Sequence, residues 1–325
     1  MLARIAHELF WLGRNLVRAE STARMLDGVF HADLQGRPED PHGVTLSWGS
    51  ILAIMGGKAA TAGNVRRDDV LSSMTLDEDN PASVVSCINR ARQGARTVRD
   101  VISAEMWEAI NTTHLTLGAG TSELSPLARS GPSAVHQYVK ERSALTWGLT
   151  SRTMLSDDAS AFLAAGGRIE SADMVLRMLR VALPARVSKP PDSTVALRDG
   201  QAVALLTAVG GFQAFRRAVP GQPNALPVAR FLLYERAYPD SVAASVESTL
   251  RVLQRADASP RTSEPILRLS RLGADLEFQA RTQTEDQDLS ETCESVQEEL
   301  ARADSDIAER YFAGASPPGM VTSSS

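Results

Sequence analysis

Apolar residues recur along this chain at steps of three and four, and no stretch alternates with the two-residue period of a half-buried strand. That pattern confines the fold to packed amphipathic helices. Residues 2–29 place Ile5, Leu9, Leu12, Leu16, Ala19, Ala23 and Leu26 on one stripe. Val84, Ile88, Ala91, Ala95, Val98 and Ile102 form a second seam. Cys293, Val296, Leu300, Ala303, Ile307 and Tyr311 continue a third that opens at Leu289 and falls within a helix over roughly 285–312. Aromatic residues make up 5% of the chain, so Leu, Val, Ile and Ala must fill the core. The expected fold class is all-α, a multi-helix bundle.

Further helices are expected at SWGSILAIMGG, at AEMWEAINTTHL and over 133–183, the last broken near Ser156-Asp157. More helix is expected through Phe215 and from Pro239 to about Ala256. Asn80 reads as an N-cap with Pro81 at the first helical position, where a missing N–H costs nothing. QGRPEDPHG, residues 184–197 and PGQPNALP read as loops. Residues 314–325 read as a disordered tail.

An internal echo divides the chain. Moving from Gly13 to Gly166, a shift of 153 (166 − 13), also brings Ala19 onto Ala172, Arg24 onto Arg177 and Leu26 onto Leu179. NPASV at 80 and YPDSV at 238 match at a shift of 158. Two echoes in the same order predict two related helical halves, 1–150 and 151–313, within one domain.

Charge and cysteine usage narrow the function classes. The 34 Lys+Arg against 39 Asp+Glu leave a net charge of −5, which disfavours nucleic acid as a partner. Arg4 and Glu8 interrupt the apolar core that a signal peptide needs, and no run is long enough for a transmembrane helix. Cys87 and Cys293 form no CxxC pair or disulfide framework, so a reducing, cytoplasmic compartment fits best. The five His show no metal-ligand spacing, GGK at 56–58 lacks the rest of a P-loop, and no GxSxG elbow is present. Neither a metal nor a cofactor is implied.

Two rows of arginine stand out. Arg4, His7, Trp11, Arg14 and Arg18 share one helix face, beside an indole that wants burial or a partner. Arg92, Arg96 and Arg99 form a second row, followed by Glu105, Trp107 and Asn111. Guanidinium groups converging on one concavity would bind carboxylate or phosphate. We take Arg4, Trp11, Arg14, Arg18, Arg92, Arg96, Arg99 and Glu105 as candidate substrate-binding residues. Glu20–Arg24 and its echo Asp173–Arg177 read as structural i,i+4 ion pairs. No catalytic residue is assigned, although Glu8, Glu20, Glu105 or Glu170 would have the chemistry of an acid or base.

MLARIAHELFWLGRNLVRAESTARMLD resembles the opening of the bacterial alpha-E family, an all-helical domain of uncertain biochemistry named for a Glu-Arg motif. NPASVVSCINRARQGARTVRDVISAEMWEAIN, FLAAGGRIESADMVLRML and RFLLYERAYPDSVAASV extend the resemblance in order over most of residues 1–255. The chain departs from the family pattern at the motif itself. Val17 stands where the glutamate of G-R-x-x-E-R-A is expected, and in the second half Glu170-Ser171 keeps the glutamate and loses the arginine. Pairing of Glu170 with Arg18 between the halves would restore the combination.

The resemblance also implies company. Family members occur with a circularly permuted ATP-grasp protein, and often near a transglutaminase-like protein and an ancestral-proteasome-like hydrolase. ATP-grasp ligases join a carboxylate to an amine through an acyl phosphate. The implied role is a helical partner of such a ligase that binds the ligase, a peptide or another anionic small molecule. Nucleic acid and membrane are not implied as partners. The rival readings are an amide- or ester-forming transferase with an Arg-lined pocket and a Glu acid/base, and a purely structural scaffold.

Overall fold

The computed structural model describes residues 1–34, 47–56, 65–120, 126–182, 201–282 and 289–314. The fold is all-α, with no strand among the described residues. Its elements are α1 (Ala3–Leu34), α2 (Trp48–Ile54), α3 (Arg67–Thr75), α4 (Val84–Thr97), α5 (Ala104–Gly120), α6 (Pro126–Arg129) and α7 (Pro132–Thr153). Then follow α8 (Asp158–Ala182), α9 (described over 201–208), α10 (Phe212–Ala218) and α11 (Ala225–Tyr234). The chain ends in α12 (Val242–Ala256), α13 (Glu264–Thr282) and α14 (Leu289–Tyr311).

Two long helices, α1 and α8, cross at the centre and share the most extensive packing surface of any pair. Glycine permits the approach. A Cβ on Gly13 would stand 2.1 Å from the Leu163 carbonyl oxygen, and one on Gly166 would stand 1.9 Å from that of Phe10. Any larger residue there would force the axes apart. Around α1, α4 lies alongside, α5 covers α4, and α7 closes against both α5 and α1. The same packing order holds around α8 with α12, α13 and α14.

The predicted seams are buried: Leu9, Leu12, Leu16, Ala19, Ala23 and Leu26 on α1, and Val84, Ile88, Ala91 and Ala95 on α4. The same holds for Cys293, Val296, Leu300, Ala303 and Ile307 on α14. One buried cluster joins residues from both central helices and the layers around them. The other face of α1 is buried as well, with Phe10, Asn15, Thr22 and Met25 inside. An arginine on that face therefore meets protein instead of water.

Helix starts differ from expectation in a consistent way. The N-caps are Ser83 and Ser241, whose side chains accept from the backbone N–H of Ser86 and Ala244. Asn80 instead shapes the preceding turn, accepting from the Ala82 N–H and donating to the Ser73 carbonyl. Pro81 and Pro239 lie upstream of the first helical turn. The break at 156–157 occurs where Asp157 accepts from the N–H groups of Ala159 and Ser160 and starts α8. Within PGQPNALP, α11 already begins at Ala225. The expected loop at 184–197 and the tail beyond Gly314 lie outside the described residues.

Candidate functional site

One turn beyond its glycine crossing, α8 points Glu170 at α1. Arg14 and Arg18 are one turn apart on α1, so both guanidinium groups reach the same carboxylate. Arg14 Nε donates to Glu170 Oε2 at 2.8 Å, while Arg18 donates through Nε to Oε1 at 2.5 Å and through Nη2 to Oε2 at 2.9 Å. Arg14 Nη1 donates to Asp304 on α14 at 2.7 Å, tying a third helix to the cluster. Trp11 covers the Arg14 guanidinium, 4.9 Å from ring centroid to Cζ. Glu170 is wholly buried, at 0% exposed, and Arg14 retains 8%.

This environment fixes protonation. Burial opposes the charge on Glu170, but Arg14 and Arg18 outweigh it and hold its carboxyl below the usual range. Burial likewise opposes the charge on Arg14, and Glu170 and Asp304 overcome it. Cys87 lies near Arg18 and Arg90, yet burial pushes its thiol up to about 11. It is therefore no thiolate nucleophile. A carboxylate locked as the ion and already accepting three N–H bonds has neither a proton to give nor a free face for substrate. What this arrangement can do is fix the register of α1 on α8.

The second basic row goes elsewhere. Arg92 donates to Asn111 on α5 at 2.8 Å, and the guanidinium groups of Arg92 and Arg99 lie 5.9 and 5.2 Å from the Trp107 ring. Arg96, Arg4 and Glu105 are exposed. Arg14 and Arg18 thus meet each other at Glu170, while Arg92 and Arg99 meet at Trp107, and the two groups share no hydrogen-bonded partner. The short-range pairs are in place. Arg24 donates to Glu20 at 2.7 Å, and Arg177 Nε lies 2.8 Å from Asp173. Glu20 also accepts from Ser143, and Asp173 accepts from Gln297.

A cavity of about 540 Å³ opens between α1, α7, α8 and α12. Val17, Glu20 and Arg24 contribute from α1, with Trp147 from α7 and Ser171 from α8. Arg168 reaches across to α12's leading turn, donating to Asp240 at 3.2 Å and to the Pro239 carbonyl at 3.0 Å. Ser171 Oγ donates to the same Asp240 oxygen at 3.2 Å. Sequence reasoning missed Trp147, Arg168, Asp240 and Arg255 as site residues. The available signal was Asp240 inside the YPDSV echo, opposite an alanine in NPASV.

Residues 1–312 match Alpha-E, a family described as a predicted alpha-helical domain with a conserved ER motif. The chain belongs to the Alpha-E family. An uncharacterized protein of Mycobacterium bovis is 23% identical over 81% of this chain and 31% of its own length. Uncharacterized proteins from two Mycobacterium tuberculosis strains are 23% and 22% identical, with the same coverage. This Alpha-E chain therefore spans about a third of the length of the curated relatives it matches. No solved structure matches it. The glutamate and arginine that sequence resemblance divides between the halves of this Alpha-E chain, Glu170 and Arg18, meet as an ion pair at the α1–α8 crossing, beside the more deeply buried Arg14–Glu170 pair. Among the described residues, no helix is long and apolar enough to cross a membrane.

Proposed function

We propose that this chain is a helical binding module that works beside an ATP-grasp-type ligase in peptide or amide synthesis or modification, without performing the ligation itself. The observation that carries the reading is its share of the longer relatives, where the aligned part makes up 31% of the chain. A unit that recurs as a third of a larger polypeptide operates attached to other protein. The sequence resemblance supplies the class of that protein. The interior supports binding over chemistry, because the Arg14–Glu170–Arg18 cluster is saturated with internal partners while the neighbouring cavity is open. A transglutaminase-like protein is a further partner on the same reasoning. Co-expression with an ATP-grasp-type ligase from the same genome tests the proposal. A co-purifying complex, or a change in ligase turnover on adding this chain, is expected. Separate elution together with unchanged turnover would overturn it.

A further inference from the structure

We propose that the 540 Å³ cavity binds the carboxy-terminal residue of an apolar peptide, and that it exists because the α1–α8 crossing carries its buried ion pair on one side only. The crossing is reciprocal: Gly13 abuts the Leu163 carbonyl and Gly166 abuts that of Phe10. A step of 153 positions carries Phe10 to Leu163 and Gly13 to Gly166. The same step carries Arg18 to Ser171 and Val17 to Glu170. The Arg18–Glu170 pair thus has a reciprocal position, occupied by Val17 and Ser171. Arg18 and Glu170 fill their side of the crossing. The isopropyl and hydroxymethyl groups of Val17 and Ser171 are too short to meet in the same way, and both line the cavity.

The lining selects the ligand. Its volume falls in the range of small-molecule sites, about 300–1,000 Å³. Trp147, Met154, Met174 and Met178 supply an apolar, adaptable wall. Two of the lining cations are already neutralised, Arg24 by Glu20 and Arg168 by Asp240. Arg255 lies exposed at the rim and makes no ion pair or hydrogen bond among the described residues. Arg24, Arg168 and Arg255 against Glu20 and Asp240 leave one uncompensated positive charge, at the mouth. Ser21 and Ser248 also line the cavity and offer hydroxyl groups as partners for an amide. One carboxylate, one amide and one alkyl side chain describe the end of an apolar peptide. This assignment rests on the reading that the module handles peptide.

N-acetyl-L-leucine, with N-acetyl-L-leucinamide as its uncharged counterpart, tests the proposal on the full chain carrying methyl-labelled methionine. Saturable NMR shifts are expected at Met154, Met174 and Met178, with the acid bound roughly fivefold tighter than the amide, the scale of one exposed ion pair. Arg255→Gln should erase the difference between the two probes. Val17→Glu with Ser171→Arg should place an ion pair in the cavity and abolish the shifts while the other methionine signals stay folded. If that double variant does not fold, Ser171→Phe supplies the same block. Absence of saturable shifts at these methyls, or equal affinity for acid and amide, would overturn the assignment. Loss of probe binding with ligase co-purification intact would sink this site alone. Probe binding without any ligase complex would sink the partner reading alone.

Discussion

Replacing Glu170 by Gln is the most informative single change at the crossing. The amide keeps the volume and removes the charge that Arg14 and Arg18 share. Three guanidinium N–H groups point at this side chain, and a glutamine offers them one carbonyl oxygen. Arg14 keeps Asp304, so it is not stranded. Arg18 loses its acid partner while its side chain remains only 25% exposed. Breaking a buried ion pair costs about 3–5 kcal/mol, and the partial exposure of Arg18 draws the figure towards the lower end. At roughly 2 °C per kcal/mol for a chain of this size, thermal unfolding followed by far-UV circular dichroism should fall by about 6 °C. The loss should be nearly independent of salt, because the pair is shielded from counter-ions. A variant destabilised by less than about 0.5 kcal/mol would place Glu170 among ordinary surface positions and refute the reasoning.

Other consequences follow from the same geometry. Because Glu170 is held below its ordinary value of 4.5, its contribution is fully present above that pH and is lost as pH falls through the lower folded value. Melting temperature should therefore drop more steeply below pH 4.5 in the native chain than in the Gln variant. His136 adds a second window: burial pushes it from 6.5 down to about 4, so the folded state refuses a proton that the unfolded chain takes up. Stability from this group is full above pH 6.5 and declines as pH falls towards 4, by up to about 3 kcal/mol, and His136→Gln should flatten that slope in pH-dependent melting. Gly166→Ala should cost about 3 kcal/mol or more in denaturant unfolding, since its Cβ would overlap the Phe10 carbonyl; a native midpoint would show that α1 and α8 can separate freely.

The helices were legible where their apolar residues keep step, as on α1, α4 and α14. Most seam residues of those helices are buried, with Ile5 and Tyr311 half-buried at the ends, and on α1 the opposite face is buried as well. Four helices passed unnoticed, α3, α6, α11 and α13, and two of them show why. On α3, Val70, Leu71, Met74 and Thr75 face inward over nine residues, too short a run to establish a period. On α13, Ile266, Leu269, Leu272 and Leu276 do keep step, behind Glu264 and Pro265 at the helix start. Proline misled the reading of helix starts at 81 and 239, because serines two residues later have the β-region backbone and free hydroxyl that capping needs.

The site was legible in part for a different reason. Periodicity says which residues share a face, not what that face meets. The row from Arg4 to Arg18 runs from water at Arg4 into protein at Arg14, and only the glycine-mediated approach of α8 brings Glu170 within reach of both arginines. The cavity was invisible because its walls come from segments spread between Val17 and Arg255, and because Val17 and Ser171 define it by what they fail to fill.

A double-mutant cycle on Arg18→Met and Glu170→Leu, read by denaturant unfolding, addresses the buried pairing without reference to any ligand. If the two side chains stabilise the crossing as one unit, each single variant should lose more than the double variant implies, with a coupling of roughly 2 kcal/mol. Additivity within about 0.5 kcal/mol would mean that the pair is not what holds α1 on α8.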